Sequence, residues 1–138
     1  MTSQNSTPRI VAKKSARMLF LSTTLILEAF VVLFGTAVAA KFAQVDKLDA
    51  PISTLWIMGG LLSVLMIIFS RMQASSYGLI AGSAIQIPFV AMGFYVDLMF
   101  FVAAVFVGLW IGSWWLGSKI DRERGEYDAS HPDEAPNV

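Results

Sequence analysis

The sequence predicts an all-α integral membrane protein, a four-helix bundle with its N- and C-termini in the cytoplasm. Hydrophobic residues make up 56% of the 138 residues and charged residues only 14%, whereas soluble domains carry about 25% charge. The charged residues lie outside four long apolar stretches, with a single glutamate as the exception. This composition excludes a soluble globule, a disordered chain and a nucleic-acid binder with a basic surface.

The four apolar stretches are long enough to cross a bilayer as helices. They form a domain over residues 18–118, with predicted spans at residues 18–40, 53–70, 77–96 and 98–118. Helices of about 18 to 23 residues reach about 27 to 34 Å at 1.5 Å per residue, and the hydrocarbon layer is about 30 Å thick. The apolar runs are continuous and do not alternate with polar residues, so helices are predicted and barrel strands are not.

Two polar segments flank the membrane domain. Residues 1–17 form a flexible basic leader, and residues 119–138 form an acidic tail with two prolines. The tail is expected to be disordered because it has too little apolar surface to bury. The leader and the small residues Ala37, Val38 and Ala39 also resemble a cleaved signal peptide. Because the apolar run exceeds the usual secretory core of about 7 to 15 residues, retention of the first span is expected.

The distribution of basic residues predicts the orientation. Lys and Arg accumulate in the cytoplasmic connections of membrane proteins. Only two basic residues, Lys41 and Lys47, lie in the connection between the first and second spans. The opposite side of a four-span topology holds eight: Arg9, Lys13, Lys14, Arg17, Arg71, Lys119, Arg122 and Arg124. Both termini are therefore expected inside, in a multi-pass protein of the plasma membrane. Asp97 is nearly the whole link between the last two spans, and it is expected to cap the fourth helix.

Glu28 and Gln86 fall at the middle of the first and third spans. An ionised carboxylate at this depth costs at least about 2.5–3.5 kcal/mol, and no basic residue occurs at this depth. Glu28 must therefore stay protonated, bind a cation, or meet a partner on another chain. A neutral Glu28 would donate its proton to the Gln86 carbonyl and accept a hydrogen bond from the Gln86 amide.

Other groups at the same depth add polarity. Pro88 has no N–H for the carbonyl of Ala84, so a kink is expected in the third span. The hydroxyls of Ser63 and Ser83 lie nearby in the predicted spans. Three interpretations stay open: a proton or cation site, an interhelical hydrogen bond worth about 0.6 and at most about 1.7 kcal/mol, or an interface with a larger membrane protein.

Small residues form two stripes that favour close helix packing. The third span carries Gly78 and Gly82, and the fourth carries Ala104, Gly108 and Gly112 at intervals of four residues. Packing inside one bundle is the main prediction. Self-association through the stripe on the fourth span is the alternative.

Chemical signatures of an enzyme are absent from the sequence. The chain has no cysteine and one histidine, and it has no phosphate-binding loop, metal-ligand spacing or Ser-His-Asp set. We therefore expect a non-enzymatic protein with no metal and no cofactor.

The stretch from Thr24 to Leu33, with Leu-Glu-Ala-Phe-Val-Val-Leu at its centre, resembles a family of small actinobacterial membrane proteins, the domain of unknown function 4233. The resemblance continues through the turn at Arg71 and the third span, over residues 15–120. It implies an actinobacterial plasma membrane and a gene beside folylpolyglutamate synthase. It implies no activity, because the family has none assigned.

The size of the chain and its single acid in the first span also resemble the small multidrug resistance transporters, which are four-helix homodimers. In that family a glycine–threonine pair closely follows the membrane glutamate, whereas Gly35 comes seven residues after Glu28. The family is therefore not assigned, but its mechanism remains an alternative.

The sequence thus favours a small accessory or stabilising component of a larger membrane assembly, in contact with membrane lipids and with no nucleic acid partner. The alternative is a homodimeric proton-coupled transporter of small lipophilic or cationic solutes that uses Glu28. The identity of the partner or substrate, and any link to folate metabolism, are left open.

Overall fold

The computed structural model describes residues 14–131, which form four helical spans long and apolar enough to cross a membrane. The helices within these residues are α1 (Ala16–Gln44), α2 (Ile52–Arg71), α3 (Ser76–Ala84), α4 (Gln86–Ala91), a 3₁₀ turn (Met92–Phe94) and α5 (Leu98–Ser130). Helices α3 and α4 and the 3₁₀ turn together make the third span. The predicted all-α membrane fold is confirmed, and no strand occurs in the described part of the chain.

Helix α1 is the centre of the bundle. It packs against α2 on one side and against α5 on the other. The third span packs mainly against α5. Leu21, Leu25 and Val32 are completely buried along one face of α1, at spacings that place residues on the same side of a helix. Phe34 on the opposite face is 75% exposed in the isolated chain. Such outward apolar side chains would contact lipid in a membrane.

The third span is interrupted at Ile85, between α3 and α4. Helix α3 ends at Ala84, the residue whose carbonyl receives no hydrogen bond from Pro88 because proline has no N–H. Beyond the interruption, α4 and the 3₁₀ turn pack against α5. The third span therefore approaches α2 through α3 and separates from α2 along α4.

Helix α5 extends well beyond the predicted end of the fourth span. It continues to Ser130, so the prediction of disorder is wrong for residues 119–130. Two pairs of opposite charge, Lys119–Glu123 at 4.0 Å and Arg122–Glu126 at 3.8 Å, lie one turn apart along this extension and favour the helix. Residues 1–13 of the leader and 132–138 of the tail lie outside the described residues.

Hydrogen bonds join the start of α1 to the extension of α5. The carboxylate of Asp121 accepts from the backbone N–H of Ala16 at 2.7 Å, from the backbone N–H of Arg17 at 3.3 Å, and from the hydroxyl of Ser15. Arg124 donates to the carbonyl of Lys14 at 3.3 Å. The first and last described helical segments therefore meet at one end of the bundle, as an even number of spans requires.

The predicted cap at Asp97 is wrong. Helix α5 begins one residue later, at Leu98, but the Asp97 side chain makes no capping hydrogen bond. Backbone carbonyls take that role, since Met99 N–H donates to Val96 at 2.8 Å and Phe100 N–H donates to Asp97 at 3.1 Å. The Asp97 backbone is itself helical, whereas an N-cap residue has a non-helical backbone.

Candidate functional site

Glu28 and Gln86 lie in direct contact inside the bundle. Glu28 is 0% exposed and Gln86 is 7% exposed. The Gln86 amide Nε2 donates to Glu28 Oε2 at 2.8 Å and to the Gly82 carbonyl at 3.3 Å. The structure thus brings together the two polar residues at the middle of the first and third spans, and the pair forms within one chain.

The second hydrogen bond expected of this pair is not made. Glu28 Oε1 and Gln86 Oε1 are both buried and have no hydrogen-bond partner among the described residues. In a cyclic arrangement the protonated carboxyl group of Glu28 would also donate to the side-chain carbonyl of Gln86, but only the hydrogen bond from the Gln86 amide to Glu28 is present. Two acceptor oxygens are therefore left inside the bundle without a donor.

Ser63 and Ser83 lie near this depth but make separate contacts. The Ser63 hydroxyl donates to the Ala29 carbonyl at 3.0 Å and so links α2 to α1. The Ser83 hydroxyl accepts from the Trp110 indole N–H at 3.2 Å and so links α3 to α5. Neither hydroxyl hydrogen-bonds to Glu28 or Gln86, so the predicted cluster of four polar groups resolves into one pair and two single links.

A groove with a volume of about 550 Å³ lies between α2 and the third span. One wall runs along α2 from Leu55 to Phe69, the other along the third span from Ala81 to Val96, and Gly35, Thr36 and Ala39 of α1 form the floor. We call it the lateral groove. Neither Glu28 nor Gln86 lines it, so the buried pair does not open into this space.

The two predicted stripes of small residues have opposite environments. A Cβ added at Gly82 would lie 2.5 Å from the Trp110 ring, and one added at Gly78 would lie 1.8 Å from the Met72 carbonyl. Both glycines are therefore required for packing inside the bundle. In contrast, a Cβ at Gly108 or Gly112 would meet nothing within 4 Å.

The stripe on α5 therefore faces away from the bundle. Ala104, Gly108 and Gly112 are exposed, and Ala103 and Trp110 take the buried positions of the same helix. The prediction that this stripe packs inside the bundle is wrong. Because the intervals 104–108–112 and 99–103–110–117 both fit a helical face, the spacing alone did not show which face turns inward.

Two buried polar contacts were missed by sequence reasoning. Gln73 is 1% exposed, and its amide donates to the carbonyls of Phe69 at 2.8 Å and Gly78 at 2.9 Å, which ties the α2–α3 turn together. Thr24 and Ser113 approach to 3.3 Å between α1 and α5. Gln73 lies in a short polar turn, where side chains are usually exposed to solvent. The only sequence signal for the close approach of the turn to α3 was the glycine at position 78.

No group of three or more His, Asp or Glu side chains comes together in the described part of the chain. The functional role predicted for the midplane residues remains a prediction, since hydrogen bonding between Glu28 and Gln86 fits both a structural pair and a proton site.

Comparison with known proteins identifies a family and nothing beyond it. A family model described as "Protein of unknown function (DUF4233)" matches residues 17–126. No curated protein and no solved structure matches the chain.

Proposed function

This chain belongs to the DUF4233 family, whose function is unknown, and we propose that it is a non-enzymatic accessory or stabilising component of a larger assembly. The protein is a multi-pass membrane protein by its four apolar helices. We place it in the plasma membrane of an actinobacterium, as its sequence resemblance implies, with both termini in the cytoplasm.

The observation that carries this proposal is the closed midplane. Transport through Glu28 requires that water or a solute reach the carboxyl group from each side in turn. Glu28 is fully buried, its partner Gln86 comes from the same chain, and the lateral groove does not reach either residue. A polar pair enclosed in this way favours a role in holding the bundle together.

The outward stripe on α5 supplies a face for a partner. Helices in lipid associate through close backbone approach at small residues, because burial of apolar surface gives no advantage there. Ala104, Gly108 and Gly112 present such a surface, and no part of the described chain covers it. A helix of a larger membrane protein is the occupant that the accessory role requires.

Purification from the native membrane in a mild detergent tests the proposal. We expect a defined partner in a fixed ratio to the protein. Gly112→Leu should abolish its recovery, because the side chain would hold the partner helix away from α5. Gly60→Leu is the matched control, since Gly60 lies on α2 and also has nothing within 4 Å of an added Cβ.

Recovery of the protein as a single species without a partner would contradict the accessory role. Recovery of the same partner from the Gly112→Leu and Gly60→Leu proteins alike would leave that role standing and would exclude the stripe on α5 as the contact surface.

The alternative is a homodimeric proton-coupled transporter, and one observation favours it. The unpartnered oxygens Glu28 Oε1 and Gln86 Oε1 are acceptors that a proton or a cation could use. Flux measured in liposomes separates the two functions. The accessory role predicts no proton-coupled flux, whereas flux that is lost in Glu28→Gln, with the protein still folded, would favour transport.

A further inference from the structure

A pocket on the exposed side of α5 lies beyond the stripe of small residues that the proposed function uses. Its position in the sequence is one turn nearer to the C-terminus than Gly112. Intervals of three and four residues, as in 111–115–118–122, place the lining on one side of the helix. We call it the boundary pocket, and it is lined by six residues of α5: Ile111, Trp114, Trp115, Ser118, Lys119 and Arg122.

The boundary pocket is apolar at one end and cationic at the other. Ile111 and the rings of Trp114 and Trp115 form the end toward the membrane interior, and Lys119 and Arg122 form the end toward the charged extension of α5. The Lys119 ammonium lies 5.6 Å from the centre of the Trp115 ring, so the two ends adjoin. No acidic residue lines this pocket. A matching ligand therefore carries negative charge next to an apolar part.

Two helices mark the depth of the boundary pocket independently. In α5, Lys119 is the first charged residue after the apolar stretch. In α1, Arg17 is the last basic residue before the first span, and its backbone lies against Gly117, where an added Cβ would be 2.4 Å from Arg17 Cα. Both helices thus change from apolar to charged at one level. Tryptophan is enriched at such a boundary between hydrocarbon and headgroups, so the pocket lies where the phosphates of a bilayer lie.

The two cations are only weakly engaged by their own helix. Lys119 lies 4.0 Å from Glu123, and Arg122 lies 3.8 Å from Glu126, in pairs whose side chains are between 45% and 71% exposed. Exposed pairs of this kind contribute little. A guanidinium has five N–H donors in a planar group that matches a phosphate, and one carboxylate leaves most of them free. Both cations can therefore meet an anion in the pocket.

We propose that the boundary pocket binds the headgroup phosphate of an anionic phospholipid. Lys119 and Arg122 donate hydrogen bonds to the phosphate oxygens, and the upper part of the acyl chains lies along Ile111 and the indole rings. An anionic lipid fits better than a zwitterionic one because no acidic residue lines the pocket to receive a lipid ammonium. A free phosphate ion would leave the apolar end uncovered. With both termini in the cytoplasm, as proposed above, this lipid lies in the cytoplasmic leaflet.

Quenching of tryptophan fluorescence by brominated lipid tests the proposal. The full-length protein carries Trp56→Phe, which removes the tryptophan of α2, and is placed in phosphatidylcholine nanodiscs. A small fraction of the lipid is replaced by phosphatidylglycerol or by phosphatidylcholine, each with the same brominated acyl chains. Bromine quenches at contact, so Trp114 and Trp115 should be quenched more by brominated phosphatidylglycerol at equal mole fraction. The ratio of the two quenching curves is taken within each variant, so that a change in Trp115 emission alone does not count.

Single charge removals locate the site. Lys119→Gln and Arg122→Gln should each lower the apparent affinity for brominated phosphatidylglycerol about fivefold, the change expected for one positive charge at a membrane surface. Lys119→Arg keeps the charge and should retain the affinity. Arg71→Gln is the matched control, because Arg71 ends α2 on the same predicted side of the membrane and does not line the pocket. Its affinity should equal that of the parent protein.

Three results would overturn the proposal. The first is equal quenching by the two brominated lipids. The second is an equal loss of affinity in Arg71→Gln and Lys119→Gln, which would show diffuse attraction by the whole charged end. The third is release of the quenching by inorganic phosphate but not by sodium chloride at the same ionic strength, which would assign the pocket to a free anion. Circular dichroism identifies a variant that has not folded, and Lys119→Gln and Arg122→Gln each supply the test without the other.

Discussion

Asp121 accepts hydrogen bonds from the backbone N–H groups of Ala16 and Arg17, which belong to the first turn of α1. Such groups have no partner within their own helix, and a residue from the far end of the chain satisfies them here. Partial burial on its own raises the pKa of Asp121. The hydrogen bonds from Ser15, Ala16 and Arg17 and the positive charge of Arg124 outweigh that effect and hold the pKa below its usual value.

Removal of this carboxylate should weaken the bundle. Asp121→Ala is expected to lower the free energy of unfolding by about 0.5–2 kcal/mol, the range for loss of a helix cap, measured by unfolding in mixed micelles. Hydrogen exchange at Ala16 and Arg17 should become faster. Asp97→Ala is the control, because the Asp97 side chain caps nothing, and a similar loss in both variants would contradict the role of Asp121.

The lowered pKa of Asp121 also predicts a dependence on pH. A carboxylate whose pKa is lower in the folded state stabilises the fold at every pH above its pKa in the unfolded chain, about 3.9. This stabilisation is lost as the pH falls through the pKa of the folded state. Asp121 should therefore add no pH dependence between about pH 5 and 8 and weaken the contact between α1 and α5 only below about pH 4. Asp121→Asn keeps an acceptor without the charge, so it should abolish the acid-dependent change in exchange at Ala16.

At the midplane, the Glu28–Gln86 pair is suited to a double-mutant cycle. Gln86→Leu leaves both oxygens of Glu28 without a donor and should destabilise the bundle by about 1–3 kcal/mol. The double variant Glu28→Leu/Gln86→Leu removes both polar groups and should cost less than the sum of the single variants. Additive costs, measured by the same unfolding assay, would show that the hydrogen bond between the two side chains contributes nothing.

Among the helices, the contact between α1 and α2 depends on one of two adjacent glycines. A Cβ added at Gly59 would lie 1.8 Å from Thr36 Oγ1 and 2.7 Å from Thr36 Cβ, whereas one at Gly60 would meet nothing. Gly59→Ala should therefore separate α1 from α2 and lower the unfolding temperature. Gly60→Ala should leave it unchanged or raise it, since alanine is favoured over glycine in helices by about 1 kcal/mol. Equal effects would show that the helices do not approach closely at Gly59.

The elements differ in how far the sequence determines them. Length and continuous hydrophobicity predict the four spans, and Pro88 marks the interrupted one, because these are properties of single segments. The extension of α5 to Ser130 was not predicted. Residues 119–130 are rich in charge, and a segment of this composition is typically disordered unless it contacts a neighbouring helix. Asp121 and Arg124 bind the start of α1, and only the three-dimensional arrangement shows that contact.

The candidate site was also predicted only in part from the sequence. The equal depth of Glu28 and Gln86 follows from counting along two spans, and the cost of an isolated acid in lipid favours a contact between them. The direction in which each helix faces does not follow from counting. This is why Ser63 and Ser83 were grouped with the pair and why the stripe at Gly108 was placed inside the bundle.

For the whole molecule, the basic residues predict that both termini face the cytoplasm. The chain has no cysteine, so single cysteines can be introduced without background. Lys47→Cys should react with a membrane-impermeant maleimide in intact cells, because it lies between the first two spans. Ser130→Cys should react only after the cells are opened. The reverse pattern would place both termini outside.

The hydrogen bonds between Asp121 and the start of α1 also set the order in which the protein can mature. Ala16 and Asp121 are 105 residues apart in the chain, so the ribosome has made every span before the N–H groups of Ala16 and Arg17 can meet this acceptor. A nascent chain released before Asp121 carries all four spans yet cannot close its two ends on each other. Closure of this end of the bundle therefore follows synthesis of the fourth span, and a product terminated before Asp121 would leave the N–H groups of Ala16 and Arg17 without this acceptor.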